Sequence, residues 1–180
     1  MQKFYNVNIA GRVEALPIIK IVDNLAIAFF NLNGSQNLTE HCAKELARLA
    51  SGVDIILTAE SKGIALAHCI ARELGHSKYV VARKSKKLYM TDVIQATVHS
   101  ITTAGKQVLY LSGDDVKLLK GKKIAIVDDV ISTGESLKAL EELVKKAGGV
   151  ATKKLAVLAE GNAVDRKDIE FLATIPVFKV

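Results

Sequence analysis

Two adjacent acids, Asp128 and Asp129, follow the aliphatic run Ile124-Ala125-Ile126-Val127 and precede Ser132-Thr133-Gly134-Glu135-Ser136. The order is strand, acids, small hydroxyl residues, glycine, then an amphipathic stretch. At the start of a helix the first backbone N–H groups have no intrahelical partner, and the macrodipole is positive there. Ser132, Thr133 and Ser136 add hydroxyl donors, and Gly134 lets the chain curl around an anion without a Cβ in the way. Such a turn is a phosphate cradle; the plain alternative is an ordinary strand–turn–helix whose Asp, Ser and Thr residues serve as turn and cap. Carboxylates aimed at a phosphate would repel it, but they accept hydrogen bonds from neutral hydroxyls beside it. A phosphate with a vicinal diol a few ångströms away satisfies both halves, which describes a ribose 5-phosphate. The acids could also steady the water shell of a metal.

Two other strand ends carry compatible chemistry. Thr58-Ala59-Glu60-Ser61-Lys62-Gly63 offers N–H groups, a hydroxyl, a cation and a glycine before another helical stretch. An ordinary capped helix start is the plain alternative. Ala82-Arg83-Lys84-Ser85-Lys86-Lys87-Leu88-Tyr89-Met90 is densely cationic. These charges repel one another unless an anion joins them, and a diphosphate would serve, with the arginine fork gripping its oxygens. The alternatives are a solvated basic loop or a nucleic-acid patch. The second is weaker, because Tyr89 is the one stacking ring in the stretch. Neither G-x-x-x-x-G-K-[ST] nor a helix-opening G-x-G-x-x-G occurs, which excludes the nucleotide P-loop and the dinucleotide fingerprint.

The elements that must hold these groups follow from periodicity. Short aliphatic runs at Val53–Leu57, Tyr79–Ala82, Ile124–Val127 and Leu155–Leu158 read as buried strands. Between them, Cys42, Ala43, Leu46, Ala47 and Ala50, then Leu66, Ala67, Ile70, Ala71 and Leu74, then Leu137, Leu140, Leu143, Val144 and Ala147, recur at helical spacing. Strand-like pieces also lie around Val7–Ile9, Leu25–Phe30 and Ile175–Val180, and Asp114–Leu119 is a short helical piece. Ala96–Ile101 and Gln107–Leu111, joined by Thr102-Thr103-Ala104-Gly105-Lys106, read as a hairpin. Alternating strands and helices define an α/β fold around a mostly parallel sheet, with helices on both faces.

Bulk properties agree. The 180 residues suffice for one domain; 49% are hydrophobic and 5% aromatic, so the core is aliphatic. The net charge of +6 attracts polyanions without choosing among them. Cys42 and Cys69 show no ligand spacing and read as buried thiols of a reducing compartment. The first residues lack the apolar run of a signal peptide, and no run of about 18 apolar residues suggests a membrane span.

The segment Val127–Ser136 resembles the signature of the type I phosphoribosyltransferases: aliphatic residues, two acids, two variable residues, a small residue, then Thr-Gly. The resemblance implies that 5-phosphoribosyl-1-pyrophosphate (PRPP) binds with its ribose hydroxyls on Asp128 and Asp129 and its 5-phosphate on Ser132, Thr133, Gly134, Glu135 and Ser136. Glu135 stands where relatives often carry glycine, and its carboxylate is expected to point outward. Pyrophosphate is expected on Glu60, Ser61, Lys62, Gly63, Arg83, Lys84 and Lys87, with Asp128, Asp129, Lys62 and Arg83 as the catalytic set. Mg²⁺ would travel with PRPP, with no direct protein ligand and with water as the bridge to the paired aspartates.

By the same resemblance, the Ala82–Leu111 stretch is the flexible hairpin that closes over PRPP, and His99 lies within it. Val98-His99-Ser100-Ile101-Thr102 and Val108-Leu109-Tyr110-Leu111 are similar to the xanthine, adenine and archaeal hypoxanthine enzymes. The glutamate that adenine enzymes often place in this hairpin is missing, since no Glu lies between Glu73 and Glu135. The implied layout is a single domain over residues 1–180, with a core at about 37–160 and a hood from about 1–36 and 161–180. Phe29, Phe30, Phe171 and Phe178 are candidates to stack on a base, or simply to pack. The expected protein is a cytoplasmic, homodimeric purine phosphoribosyltransferase using Mg²⁺, PRPP and a purine base, without membrane or nucleic-acid partners. The alternative is a non-catalytic PRPP-binding regulator of the same fold.

Overall fold

Strands that carry apolar residues on both of their faces must be covered on both sides, and the fold supplies that cover. A computed structural model describes residues 2–98 and 107–179. Its element order is β1 (Phe4–Ile9), β2 (Arg12–Val22), β3 (Leu25–Ala28), α1 (Gln36–Leu49), β4 (Ile55–Ala59), α2 (Ile64–Glu73), β5 (Val80–Ala82), β6 (Ile94–Val98), β7 (Gln107–Leu111), α3 (Gly113–Leu119), β8 (Lys123–Ile131), α4 (Glu135–Lys146), β9 (Val150–Glu160), a 3-10 turn (Gly161–Asp165), β10 (Glu170–Ile175) and β11 (Val177–Lys179).

The central sheet is five-stranded and parallel, in the order β10-β9-β8-β4-β5. All five residues of β4 are buried, as are Ile124 to Val127 of β8. One apolar cluster joins Leu38, Cys42 and Leu46 of α1 and Leu66 and Ile70 of α2 to β1 and to one face of the sheet. The other joins Leu137, Leu140, Leu143 and Val144 of α4 to the opposite face and to the hairpin residues Ala96, Val98, Leu109 and Leu111. Together these clusters place helices on both faces, as the periodicity requires.

A second, antiparallel sheet runs β1-β2-β3-β11 and draws on residues from both ends of the sequence. The third, β6 with β7, is antiparallel and meets the end of β5 through paired backbone bonds between Arg83 and Tyr110, both 2.9 Å. His99 and the expected turn at 102–106 lie outside the described residues.

Four readings of the sequence need correction. Strand β2 has no counterpart among the expected elements. The turn before it is Ala10-Gly11, with φ of 49° and 92°, in place of the Asn-Gly or Asp-Gly that would announce a hairpin. Strand β10 has none either; it sits at the edge of the parallel sheet and only Ile175 in it is buried, so its apolar signal is thin. Strand β9 starts at Val150, earlier than its aliphatic run, because its first residues lie at the more exposed end of the sheet. Finally, β8 continues through the paired acids to Ile131, so Asp128 and Asp129 belong to the strand and the turn proper is Ser132-Thr133-Gly134.

Candidate functional site

The carboxyl ends of β4 and β8 lie side by side at the middle of the parallel sheet. After each of them the chain turns into a helix, α2 and α4, which leave toward opposite faces. A crevice at such a point is where parallel α/β sheets bind ligands.

Gly134 closes the turn after β8 at φ 79°, a left-handed conformation that other residues adopt with strain, and serves as the cap of α4. No side chain caps that helix end, so its first amides are free to meet an anion. A hollow of about 130 Å³ opens there, lined by Asp128, Val130, Ile131 and Ser132 through Leu137. The Glu135 carboxylate pairs with Lys138 of its own helix at 2.7 Å, and Glu135 lines the hollow.

A larger hollow of about 430 Å³ adjoins it and shares Asp128, Val130 and Ser136. Its other walls are Ala59, Glu60, Ser61 and Lys62 from the turn after β4, Lys84, and Gln107 and Leu109 of β7. Lys62 Nζ donates to Asp129 Oδ2 at 2.5 Å across a separation of 67 residues. Asp129 is almost fully buried, at 4% side-chain exposure, whereas Lys62 is 44% exposed. The Asp129 N–H donates to Asp128 Oδ1 at 2.9 Å. Burial, and after it the charge of Asp129, pushes the Asp128 carboxyl up to about 8, while Lys62 pulls the other way.

The expected pyrophosphate residues divide. Glu60, Ser61, Lys62 and Lys84 border the larger hollow. Gly63 does not: a Cβ there would collide with Thr58 Oγ1, so this glycine lets α2 start against a buried threonine. Arg83 turns away as well. Its Nη2 lies 3.3 Å from Glu60 Oε1, and it lines a separate hollow with Tyr79, Val81, Tyr89, Met90, Ser112 and Asp115. Glu60 thus engages Arg83 and also accepts from the Lys84 N–H at 2.9 Å. Lys87 borders neither of the two adjoining hollows, and its N–H donates to Met90 Sδ. Among the ring candidates, Phe30 is buried in the core, Phe178 packs edge-on against Tyr5 at 6.0 Å, Phe171 packs against the α4 cluster, and Phe29 is exposed.

Sequence reasoning overlooks two residues beside the phosphate turn. Glu160, buried at the carboxyl end of β9, has its carboxyl raised from its ordinary value by burial, against the pull of the nearby Ser132 hydroxyl and the Lys62 charge. Arg166, just past the 3-10 turn, has Nη1 where a Cβ on Gly134 would stand. A glutamate at the end of an aliphatic strand is a signal for the first; nothing local marks the second.

The donor set suits a hard, oxygen-preferring cation carried by a ligand and held through water. Two carboxylates and several hydroxyls share one rim, while no group of three or more His, Cys, Asp or Glu among the described residues is arranged to hold a bare ion. Among those residues no helix is long and apolar enough to cross a membrane.

An α/β scaffold with a small-residue turn at a helix start and an acidic pair at neighbouring parallel strand ends has the layout of the ligand-binding α/β proteins. Residues 31–176 match the family described as "Phosphoribosyl transferase domain", and the chain belongs to that family. The hypoxanthine/guanine phosphoribosyltransferase of Methanothermococcus okinawensis is 37% identical over 131 residues, 73% of this chain and 67% of that protein. The adenine phosphoribosyltransferase of Mesomycoplasma hyopneumoniae is 28% identical over 136 residues, 76% of each. The archaeal relatives are matched over about two thirds of their own length or less. Among solved structures, the adenine phosphoribosyltransferase of Thermoanaerobacter pseudethanolicus shares the fold, with a TM-score of 0.65 at 23% identity, covering 79% of this chain and 84% of that one.

Proposed function

We propose that this protein is a purine phosphoribosyltransferase of nucleotide salvage, transferring the 5-phosphoribosyl group of PRPP to a purine nitrogen. The observation that carries the reading is the junction of two hollows through Asp128, Val130 and Ser136. One hollow has the amides and hydroxyls for a phosphate monoester; the other has Lys62 and Lys84 for a diphosphate; the acids stand between them, where a ribose would lie. Relatives named for hypoxanthine/guanine and for adenine support a purine as acceptor.

In this reading the C1–O bond to pyrophosphate breaks, a C1–N bond forms, and the purine N–H proton is lost. The turn's amides anchor the 5-phosphate. Asp128 and Asp129 accept from the ribose hydroxyls, and the protonated form of Asp128 can also donate. Lys62 exchanges Asp129 for the departing diphosphate, whose developing charge it offsets. Lys84 supports it from the rim, while Arg83 acts through Glu60 until the ligand draws it in. Mg²⁺ bound with PRPP would supply further charge neutralisation at the diphosphate, water-bridged to Asp128 and Asp129. β7, which brings Gln107 and Leu109 to the hollow, excludes water from the reacting carbon. The chain works as one domain, its hood formed by residues 1–36 with β11 while β10 belongs to the core sheet, in a cytoplasmic homodimer.

The test is release of pyrophosphate from PRPP and Mg²⁺ across a panel of adenine, hypoxanthine, guanine and xanthine. Turnover with one or more of these is expected. Tight PRPP binding with no turnover on any base would sink the enzymatic reading in favour of a regulator.

A further inference from the structure

A cation beside the N-terminus of a helix faces the positive end of the macrodipole and is out of place there unless an anion joins them. Arg166 occupies such a place. Its Nη1 sits where a Cβ on Gly134 would be, against the residue that opens α4, and Gly134 is buried beneath it. The guanidinium is held from the other side by a fork to Asp168, with Nε to Oδ1 at 3.0 Å and Nη2 to Oδ2 at 2.7 Å. Asp168 in turn accepts from Lys154 at 3.0 Å, and Lys154 also pairs with Glu141 on α4. The arm is therefore tied to the same helix whose start it touches, and Arg166 is only 23% exposed. Both donors of the fork are spent on Asp168, while Nη1 has no acceptor among the described residues.

We propose that Arg166 is a positioning residue for the phosphate turn: anchored by Asp168, it backs Gly134, fixes the left-handed turn, and adds its charge to the cradle for a phosphate monoester. This rests on the sugar-phosphate reading of the turn. Glycine at 134 is demanded by its φ of 79°, and the absence of a Cβ there lets the end of the Arg166 side chain come close to the turn. Arg166 is not among the residues bordering the hollow, so it acts through the turn instead of gripping the ligand.

Ribose 5-phosphate is the probe, titrated calorimetrically into the full chain as wild type, Arg166→Gln, Arg166→Lys and Asp168→Asn. Removing one charge near the helix start is expected to weaken binding by about tenfold in Arg166→Gln. Arg166→Lys should recover part of that loss, and Asp168→Asn, which keeps the cation but loosens it, should lie between. In turnover assays the KM for PRPP should rise in step while the KM for the base stays put, a split that general loss of packing would not produce. Wild-type affinity in a folded Arg166→Gln, or equal losses for PRPP and base, overturns the proposal. If Arg166→Gln does not fold, Arg166→Lys and Asp168→Asn decide the matter by the same criteria. Wild type that ignores ribose 5-phosphate refutes the sugar-phosphate reading itself, and this inference with it.

Discussion

Removing Lys62 from its partner gives the most demanding test of how the site is held together. Asp129 is almost fully buried and its only cationic contact among the described residues is Lys62 at 2.5 Å. Breaking a buried pair from one side costs about 3–5 kcal/mol, since the remaining charge stays desolvated. Here Lys62 is 44% exposed, so water already screens the pair, and replacement water can reach the vacated place. We therefore expect Lys62→Met to lose about 2 kcal/mol. For a domain of this size that is a fall in Tm of about 4–8 °C. Lys62→Met with Asp129→Asn should recover most of the loss, because the orphaned charge is gone. Differential scanning calorimetry of the wild type, both single variants and the double variant at one pH completes the cycle. A Lys62→Met protein as stable as wild type, or a double variant no more stable than Lys62→Met, would contradict this account of the pair.

Other outcomes follow from the same geometry. Asp128→Asn with Asp129→Asn should abolish turnover and weaken PRPP binding while far-UV circular dichroism stays native; near-normal activity would remove the ribose site. Because the Asp128 carboxyl is raised from its ordinary value near 4 to about 8, the folded state holds a proton that the unfolded chain has released. That stability is fully present below about pH 4 and is lost as pH rises toward about 8, so urea midpoints of the ligand-free protein should fall over this window, and Asp128→Asn should flatten the fall. Gly63→Ala should cost about 1–3 kcal/mol by overpacking against Thr58, and a second change, Thr58→Ala, should relieve part of it in thermal melts. Chelation of Mg²⁺ should stop turnover yet leave the Tm of the ligand-free chain unmoved, as no cluster among the described residues is built to hold the metal by itself; a shifted Tm would point to a resident ion.

What can be seen in the sequence is what local chemistry fixes. The aliphatic run to Val127, the paired acids and Ser132-Thr133-Gly134 appear consecutively, so strand, turn and helix start can be read together. Of the hairpin strands, β7 lies at its expected bounds, while β6 begins at Ile94, two residues before the expected start at Ala96. Side-chain direction is not legible in this way. Arg83 follows its strand as a cation should, yet it turns to Glu60, and only tertiary packing decides that. Glu135 is the favourable case: the sequence expects its carboxylate to point outward from the turn, and it pairs with Lys138 three residues on. Arg166 lies beyond sequence reading, since its relation to Gly134 spans 32 positions and depends on how β9 returns beside β8.

Strand β11 pairs with β3, joining Val177 to Ile27 and Lys179 to Leu25. During synthesis on the ribosome, β1 to β3 therefore emerge long before the residues that cover their open edge. Until Lys179 has cleared the exit tunnel, β3 presents unpaired amides and carbonyls to any passing strand. The pace of translation, and not the speed of local hairpin closure, then times the completion of this sheet, and nascent chains stalled short of residue 177 should be unusually easy to cross-pair or to clip.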